Sequence, residues 1–257
     1  MADRERISLM GMPVDPVTER EAVEEIVGAL GNGAGGWVIT PNLDHLRRHR
    51  DSSSVRRAFE AADLVLADGM PLVWASRLQR TPLPERVAGS DLIWSLSDAG
   101  GRVGASVFLL GGEPGAAEGA ARVLERRAPG LRVTGTAAPT VSANGDGRDL
   151  DGVIRQLHGL QPDLVYVGLP LAKQVAVIPR LRRAAPTTWF LGLGISLSFV
   201  AGEVRRAPSW LQRSGLEWAW RLAQEPARLW RRYLVEGIPL ALALFAGALR
   251  QRREVAP

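Results

Sequence analysis

Side chains able to carry acid–base chemistry stand at the ends of two apolar runs. Asp68 ends the run at 64–68, and Thr40 ends the run at 37–40, with Asn42 two residues later. An aspartate at the end of an apolar strand is partly desolvated, which raises its pKa and makes it a better general base. The hydroxyl of Thr40 and the amide of Asn42 can hydrogen-bond sugar hydroxyls or an acetamido group. These three residues are the candidate catalytic residues.

The same side chains also fit a structural role. Asp68 can cap the helix predicted to follow it, and Asn42 can cap the helix predicted after the Thr-Pro-Asn turn, each by accepting a backbone N–H. Spacing alone favours capping for Asp68. Catalysis and capping therefore stay open as alternatives for both residues.

A turn in the first half of the chain offers groups suited to binding phosphate. Arg86, Ser90 and Asp91 lie together in the segment RVAGSD. A helix is predicted to start directly after it, near Leu92, and the N-terminus of a helix binds anions. Ser90 or Asp91 as a simple helix cap explains the segment equally well.

Two further turns follow apolar runs. Gly111 and Gly112 form a glycine turn that resembles a nucleotide phosphate-binding turn, but the full GxGxxG spacing is absent, so the motif is weak by itself. Lys173 can neutralise a phosphate and Gln174 can orient a sugar or diphosphate, because both follow the run at 164–169. A solvated helix start explains these two residues equally well.

Short apolar runs alternate with longer helical patterns along the chain. This alternation predicts an α/β fold, in which helices cover a Rossmann-like parallel sheet. Ligands of such sheets bind beyond the carboxyl ends of the strands, where the candidate residues stand. The predicted strands are 37–40, 64–68, 106–111, 131–136, 164–169 and 188–193, and the predicted helices between them include 115–127, 150–158 and 171–184.

The composition changes after residue 203, where arginine and tryptophan become frequent. We therefore predict an α/β catalytic core at 1–203 and a basic, tryptophan-rich helical appendage at 204–257, with one helix over 209–224 and another from 225 onward. Arginines bind phosphates through paired N–H groups, and tryptophans suit a membrane interface. Tryptophans packed on the core and solvated arginines explain the same composition.

Membrane insertion is not expected from the sequence. The apolar run at 238–249 is shorter than the roughly 20 residues that span a bilayer, so we predict that it does not cross the membrane. The first residues contain no apolar stretch long enough for a signal peptide.

The composition excludes several kinds of site. The chain has no cysteine, which excludes disulfides, thiolate zinc sites and cysteine nucleophiles. His45 and His49 share a helix face, but nothing nearby completes a HExxH pattern, and no metal is predicted. The net charge is +5, and nearly all of the positive charge is arginine, since Lys173 is the single lysine. A basic surface suits nucleic acid, anionic lipid or a phosphate-bearing substrate.

Several segments, in unbroken order from about residue 7 to 234, together resemble the WecG/TagA/CpsF family of glycosyltransferases. The glycine run FLLGG is not specific alone, whereas the Asp-Gly turn and the tryptophan-rich tail are specific in combination. The segments are TPN at 40–42, ADGMPLVW at 67–74, RVAGSDL at 86–92, FLLGG at 108–112, PDLVYVGL at 162–169, FVAGEVRRAPSW at 199–210 and GLEWAWRLAQEPARLWRRYL at 215–234.

The resemblance implies an inverting, metal-independent hexosyltransferase. It would move N-acetylmannosamine or a related sugar from a UDP-sugar to a saccharide linked to undecaprenyl diphosphate, in the synthesis of cell-surface polysaccharide or teichoic acid. The expected partners are the UDP-sugar, the polyprenyl-diphosphate-linked acceptor and an anionic membrane surface, with no cofactor and no nucleic acid. The expected location is the cytoplasm, peripheral on the inner face of the bacterial cell membrane. A homo-oligomer is left open.

The resemblance also assigns roles to residues. Asp68 would deprotonate the acceptor hydroxyl, with Thr40, Asn42 and Gln174 lining the catalytic pocket. The tail arginines would close over the active site and meet the diphosphate charge; they are Arg221, Arg228 and Arg231.

Two positions depart from the family pattern. Val175 and Ser198 stand where the family often has an acid, which leaves the donor sugar open.

Two other classes of function remain as alternatives. One is a non-catalytic, membrane-associated nucleotide-binding module. The other is a nucleotide-dependent oxidoreductase, which should carry a full dinucleotide fingerprint followed by an acid about 20 residues on. The segment FLLGGEPG at 108–115 does not supply that fingerprint.

Overall fold

The computed structural model describes residues 4–147 and 149–254. Within them, helices cover both faces of a six-stranded, all-parallel sheet, and a series of helices follows the sheet. The predicted α/β fold with a C-terminal helical segment is confirmed. The division at residue 203 stays a prediction, and the last three residues of the predicted appendage, 255–257, lie outside the described residues.

The chain begins with a hairpin that was not predicted. Strands β1 (Ile7–Leu9) and β2 (Met12–Val14) pair antiparallel. Met10 and Gly11, which form the turn, have φ angles of 49° and 83°, as a two-residue turn of type I′ requires. Strands of three residues are too short to leave a clear alternating pattern in the sequence.

All six predicted strands are present in the sheet. β3 begins and ends one residue earlier than predicted, and β4 is shorter than predicted, so Thr40 and Asp68 lie in the turns beyond the strands rather than at their last positions. The strands are β3 (Gly36–Ile39), β4 (Leu64–Val65), β5 (Ser106–Gly111), β6 (Arg132–Ala137), β7 (Leu164–Gly168) and β8 (Trp189–Gly192), and their order across the sheet is β4-β3-β8-β7-β5-β6.

The apolar runs form strands because the sheet is buried on both faces. Alternate residues of one strand enter different cores: Phe108 and Leu110 pack in one apolar cluster, and Val107 and Leu109 in the other. Parallel sheets covered by helices on both sides require such continuous apolar strands. The edge strand β6 is only partly buried, consistent with its outer position.

Among the described residues up to 201, nine helices connect and follow the strands. The predicted helices at 115–127, 150–158 and 171–184 are confirmed with shifts of one or two residues at most. The helices are α1 (Glu19–Leu30), α2 (Leu43–Asp51), α3 (Ser53–Ala61), α4 (Met70–Leu78), α5 (Gly89–Arg102), α6 (Ala116–Arg127), α7 (Leu150–Leu160), α8 (Leu171–Ala184) and α9 (Ser196–Ala201).

The tail continues with further helices. The single helix predicted over 209–224 is wrong, because Gly215, with a φ of +74°, separates α10 from α11. A side chain at Gly215 would also collide with Met70 of α4. The elements are α10 (Ser209–Arg213), α11 (Glu217–Gln224), α12 (Pro226–Trp230), a π-helical segment (Arg231–Gly237) and α13 (Ile238–Glu254).

The helix that contains the apolar run is longer than the run itself, so the length of the run does not by itself exclude a membrane span. The helical stretch that contains the apolar run begins at Pro226 and reaches Arg252, so its 27 residues are long and apolar enough to cross a membrane by length and composition. Only 17% of its most apolar window is buried in the protein. Leu240, Leu244 and Ala248 are buried at four-residue spacing, and α13 packs with this stripe against the core and α4.

Candidate active site

The turns after β3 and β4 lie side by side at the carboxyl end of the sheet. The backbone N–H of Asp68 donates to the carbonyl of Pro41 at 2.7 Å, and the Cα of Gly69 faces Asn42. Ligands of open parallel sheets bind at this edge. Two of the candidate catalytic residues, Asp68 and Asn42, are therefore neighbours at the edge where a substrate is expected.

The structure shows that one of these two residues caps a helix and the other does not. Asn42 is the cap of α2, because its Oδ1 accepts the backbone N–H groups of Asp44 and His45 at 3.1 and 3.3 Å. Asp68 is not a cap: α4 begins with Gly69 at the cap position and has no side-chain capping bond. The carboxylate of Asp68 is thus free of the structural role that spacing favoured.

The carboxyl of Asp68 has the properties of a general base. Its side chain is 29% exposed, and burial raises its pKa from 3.8 to about 7. Arg86 and Arg206 oppose this rise, whereas Glu217 and Asp91 add to it. A base whose pKa lies near the working pH combines a high fraction of the ionised form with a strong affinity for the proton.

Two arginines and three carboxylates form one ionic cluster around this base, here called the Asp68 cluster: Asp68, Arg86, Asp91, Arg206 and Glu217. Arg86 Nη1 lies 3.6 Å from Asp68 Oδ1 and 3.4 Å from Glu217 Oε2. Arg86 Nη2 lies 3.1 Å from Asp91 Oδ2. Arg206 Nη2 donates to the same Asp91 oxygen at 2.8 Å, and its Nε lies 3.7 Å from Glu217 Oε1. With Asp68 protonated, the cluster is electrically neutral.

Two members of the Asp68 cluster were missed from the sequence. Arg206 and Glu217 both lie within the tail segments that carry the family resemblance, but their partners are far away in the chain. Arg206 contacts Asp91 across 115 positions, and Glu217 contacts Arg86 across 131. No local pattern could have shown these pairs.

Thr40 and Gln174 lie buried where β3, β8 and β7 end. Thr40 Oγ1 donates to the carbonyl of Gly192 at 3.0 Å, and Gln174 Nε2 donates to the carbonyl of Leu169 at 2.6 Å. A side chain at Gly192 would collide with the Gln174 carboxamide. Both residues therefore join strand ends at the floor of the predicted pocket, and their contact with substrate stays a prediction.

Ser90 and Asp91 do not cap α5. The helix begins at Gly89, earlier than predicted, so both residues lie inside its first turn, and it has no side-chain capping bond. The Cα of Gly89 faces the hydroxyl of Thr40. The N-terminus of a 14-residue helix thus lies beside the carboxyl ends of the strands, and backbone N–H groups at a helix N-terminus can hold an anion.

The glycine turn after β5 is required by packing. Gly111 and Gly112 both have a φ of +89°, and side chains there would collide with Leu169 and Ala116 respectively. The N–H of Gly112 donates to the carbonyl of Gly168 at 3.0 Å, which ties the turn to β7.

Lys173 lies half-buried in the first turn of α8. Its contact with phosphate stays a prediction, as it does for the two glycines.

The three predicted tail arginines do not form one group. Arg221 lies on α11 with its guanidinium carbon 5.9 Å from the centre of the Phe199 ring. Arg228 is 60% exposed and pairs with Glu225 at 2.9 Å. Arg231 is 76% exposed and pairs with Glu236 at 3.5 Å. The contacts of Arg228 and Arg231 lie on their own helical stretch, whereas Arg221 contacts α9. The tail reaches the Asp68 cluster through Arg206 and Glu217 instead.

A second set of ion pairs joins the tail to α2. Arg232 Nη2 lies 3.3 Å from Asp44 Oδ2, and Arg47 Nη2 lies 3.3 Å from Glu236 Oε2. Burial raises the pKa of Asp44, but Arg232, Arg48 and Arg47 outweigh it and hold the pKa at about 2. The tail is thus fixed to the core at two separate ionic contacts.

A cavity of about 370 Å³ adjoins the Asp68 cluster. It lies between α4, the turn before α5 and α10 of the tail, so both the core and the tail contribute to its wall. Its lining residues are Met70, Val73, Arg77, Pro84, Glu85, Arg86, Asp91 and Gln212.

The two departures from the family pattern are at positions that are partly buried, for Val175, and buried, for Ser198. Val175 packs against the core on one face of the sheet, and Ser198 is buried within α9.

Burial lowers the pKa of His45 to about 4. No three His, Asp or Glu side chains are grouped as metal ligands among residues 4–147 and 149–254. The absence of a metal requirement stays a prediction.

Comparison with known proteins gives one family over nearly the whole chain. The profile of the glycosyl transferase WecG/TagA/CpsF family matches residues 7–254. The chain is similar to the N-acetylglucosaminyldiphosphoundecaprenol N-acetyl-beta-D-mannosaminyltransferase of Bacillus spizizenii, with 31% identity over 80% of this chain and 77% of the relative. The protein of the same name from Bacillus subtilis is 31% identical over 68% of this chain, and the match spans 65% of that relative's length.

Proposed function

The chain belongs to the glycosyl transferase WecG/TagA/CpsF family, and from this membership we propose that it transfers N-acetylmannosamine or a related sugar from a UDP-sugar to a saccharide linked to undecaprenyl diphosphate. The product is an intermediate of a cell-wall or cell-surface polymer. The names of the two Bacillus relatives support the acceptor and the sugar. The observation that carries the chemistry is the carboxyl of Asp68, whose pKa of about 7 suits a base at neutral pH.

Asp68 acts as the general base of the proposed reaction. Its carboxylate accepts the proton of an acceptor hydroxyl while that oxygen attacks the anomeric carbon of the donor. The bond between this carbon and the β-phosphate oxygen of UDP breaks, and its electron pair leaves with UDP. Attack from the face opposite to the leaving group inverts the configuration of the anomeric carbon.

Positive groups of the protein stabilise the charge on the departing diphosphate in this scheme. The N-terminus of α5 lies beside Thr40 at the strand ends, and Arg221 carries a buried Nε without a hydrogen-bond partner among the described residues. Preorganised donors aimed at developing negative charge are the largest contribution in many enzymes. The proposed transfer therefore uses protein cations and backbone N–H groups, and it needs no metal ion.

The tail places the enzyme at the surface where a lipid-linked acceptor lies. Trp210, Trp230 and Leu242 are 65%, 52% and 64% exposed. Aromatic and aliphatic side chains beside arginines bind the interface of anionic membranes. We place the protein on the cytoplasmic face of the membrane, attached peripherally through the tail.

A UDP-release screen tests the proposed function. The full chain is incubated with a panel of UDP-sugars and a short-chain lipid-diphosphate acceptor carrying N-acetylglucosamine, and both UDP and the extended acceptor are measured. We expect acceptor-dependent UDP release with an N-acetylhexosamine donor. Binding of UDP without any transfer, across all donors, would instead support a non-catalytic nucleotide-binding module.

A further inference from the structure

Glu217 faces the same nitrogen atom that faces the base. Arg86 Nη1 lies 3.6 Å from Asp68 Oδ1 and 3.4 Å from Glu217 Oε2. Glu217 is the first residue of α11, in the tail, whereas Asp68 and Arg86 belong to the core. One guanidinium N–H group of the core is therefore shared between the base and a carboxylate that the tail delivers.

From this geometry we propose that Glu217 is a positioning residue, which couples docking of the tail to the strength of Asp68 as a base. The inference rests on the proposed function of Asp68. Glu217 does not need to touch the substrate, since it acts through Arg86.

The electrostatic argument follows from the sharing of Arg86. A cation within about 4 Å favours the ionised form of a carboxyl group and lowers its pKa, and a second carboxylate nearby does the opposite. With the tail docked, Glu217 draws Arg86 away from Asp68 and adds its own negative charge. With the tail displaced, Arg86 Nη1 has only Asp68 to pair with, and the carboxylate becomes a weaker base.

The charges that face Asp68 come from several elements. Arg86 lies in the turn before α5, Asp91 lies in the first turn of α5, and Arg206 and Glu217 belong to the tail. Arg206 contacts both Asp91 and Glu217, at 2.8 and 3.7 Å, which holds Glu217 in position beside Arg86. The tail contributes one cation and one anion to this set, so its overall charge does not produce the effect. The effect requires Glu217 at this particular position.

The chain offers a matched control in the second ionic contact of the tail. Glu236 pairs with Arg47 on α2 at 3.3 Å and has no part in the Asp68 cluster. Glu236→Gln removes one tail carboxylate that pairs with a core arginine, as Glu217→Gln does. Any effect of weaker tail attachment in general should appear in both variants, whereas an effect through Arg86 should appear only at Glu217.

The experiment is a pH titration of the Asp68 carboxyl by carbon NMR in the full chain, with Asp68→Asn used to assign its signal. We expect a midpoint near pH 7 in the unsubstituted protein, a midpoint about one pH unit lower in Glu217→Gln, and no change in Glu236→Gln. The pH below which the transfer rate falls should also be lower in Glu217→Gln. An unchanged midpoint in folded Glu217→Gln, or an equal fall in Glu236→Gln, overturns the proposal.

Two further measurements keep the test decisive. Thermal unfolding establishes that each variant is folded, and Glu217→Asp, whose carboxylate is one methylene farther from Arg86, should give an intermediate midpoint. If Glu217→Gln does not fold, an unchanged midpoint in Glu217→Asp overturns the proposal. Because the NMR titration needs no substrate, absence of sugar transfer in the unsubstituted protein would count against the proposed function alone.

Discussion

The carboxyl of Asp68 and the guanidinium of Arg86 face each other across 3.6 Å at the carboxyl end of the sheet. This separation is too long for a hydrogen bond and short enough for electrostatic attraction. A direct pair would hold the carboxylate ionised and make it a poor base. The longer separation, together with burial, explains a pKa of about 7.

The rate of sugar transfer should depend on pH through this carboxyl. Only the ionised form of Asp68 accepts a proton, so kcat/KM should fall about tenfold for each pH unit below a midpoint near pH 7. The measurement is a pH profile of transfer at low donor concentration. An acidic limb near pH 4, the ordinary range of a carboxyl group, would contradict the raised pKa of Asp68.

Two aspartate-to-asparagine substitutions should change stability in opposite directions. The pKa of Asp68 is raised to about 7 in the folded protein, so the folded state loses stability as pH rises from about 4 to 7, and Asp68→Asn removes that loss. The pKa of Asp44 is lowered to about 2, so it contributes stability that is present above about pH 4 and lost as pH falls through 2.

Urea unfolding at about pH 8 measures the difference. We expect the free energy of unfolding to rise by about 4 kcal/mol in Asp68→Asn and to fall by about 2 kcal/mol in Asp44→Asn. The gain in Asp68→Asn should vanish near pH 4. A loss of stability in Asp68→Asn at pH 8 would contradict the account of its burial.

Arg86 should hold the pKa of Asp68 down. Arg86→Gln removes the nearest cation from the base, so the acidic limb of transfer should move to higher pH by about one unit, opposite to the shift expected for Glu217→Gln. The pH profile of kcat/KM checks this, with Arg48→Gln on α2 as the control for loss of an arginine that pairs with Asp44. A limb that moves to lower pH would rule out this role for Arg86.

Attachment to membranes should depend on the exposed apolar side chains of the tail. Leu242→Ser should weaken binding to anionic lipid vesicles about tenfold, because a buried leucine contributes about 1.5–3 kcal/mol. Leu160 on α7 is also exposed, at 45%, and Leu160→Ser is the control. Added salt should weaken binding of the unsubstituted chain. Equal effects of the two serines would argue against a membrane-facing tail.

The sheet was predictable because its strands are buried on both faces and appear as uninterrupted apolar runs. The same reasoning placed Asp68, Thr40 and Asn42 at the carboxyl end of the sheet, where ligands of parallel sheets bind. It missed the hairpin of β1 and β2, whose strands have three residues each. It also missed the break at Gly215, because only contact with α4 shows why glycine stands there.

The Asp68 cluster was only partly predictable. Arg86 and Asp91 were candidates because they precede and open a helix near the strand ends. Arg206 and Glu217 became visible only when the tail packed on the core, since their partners lie more than a hundred positions away. The charge balance that sets the pKa of Asp68 is therefore a property of the tertiary structure.

The most direct test of the central claim is the rate of sugar transfer by Asp68→Asn at about pH 8, with UDP binding measured in parallel. Asparagine keeps the size of the side chain and removes the proton acceptor. The account predicts a fall in kcat of about a thousandfold, with UDP affinity retained within a few-fold. Transfer by Asp68→Asn at a rate close to that of the unsubstituted protein would contradict the assignment of Asp68 as the base.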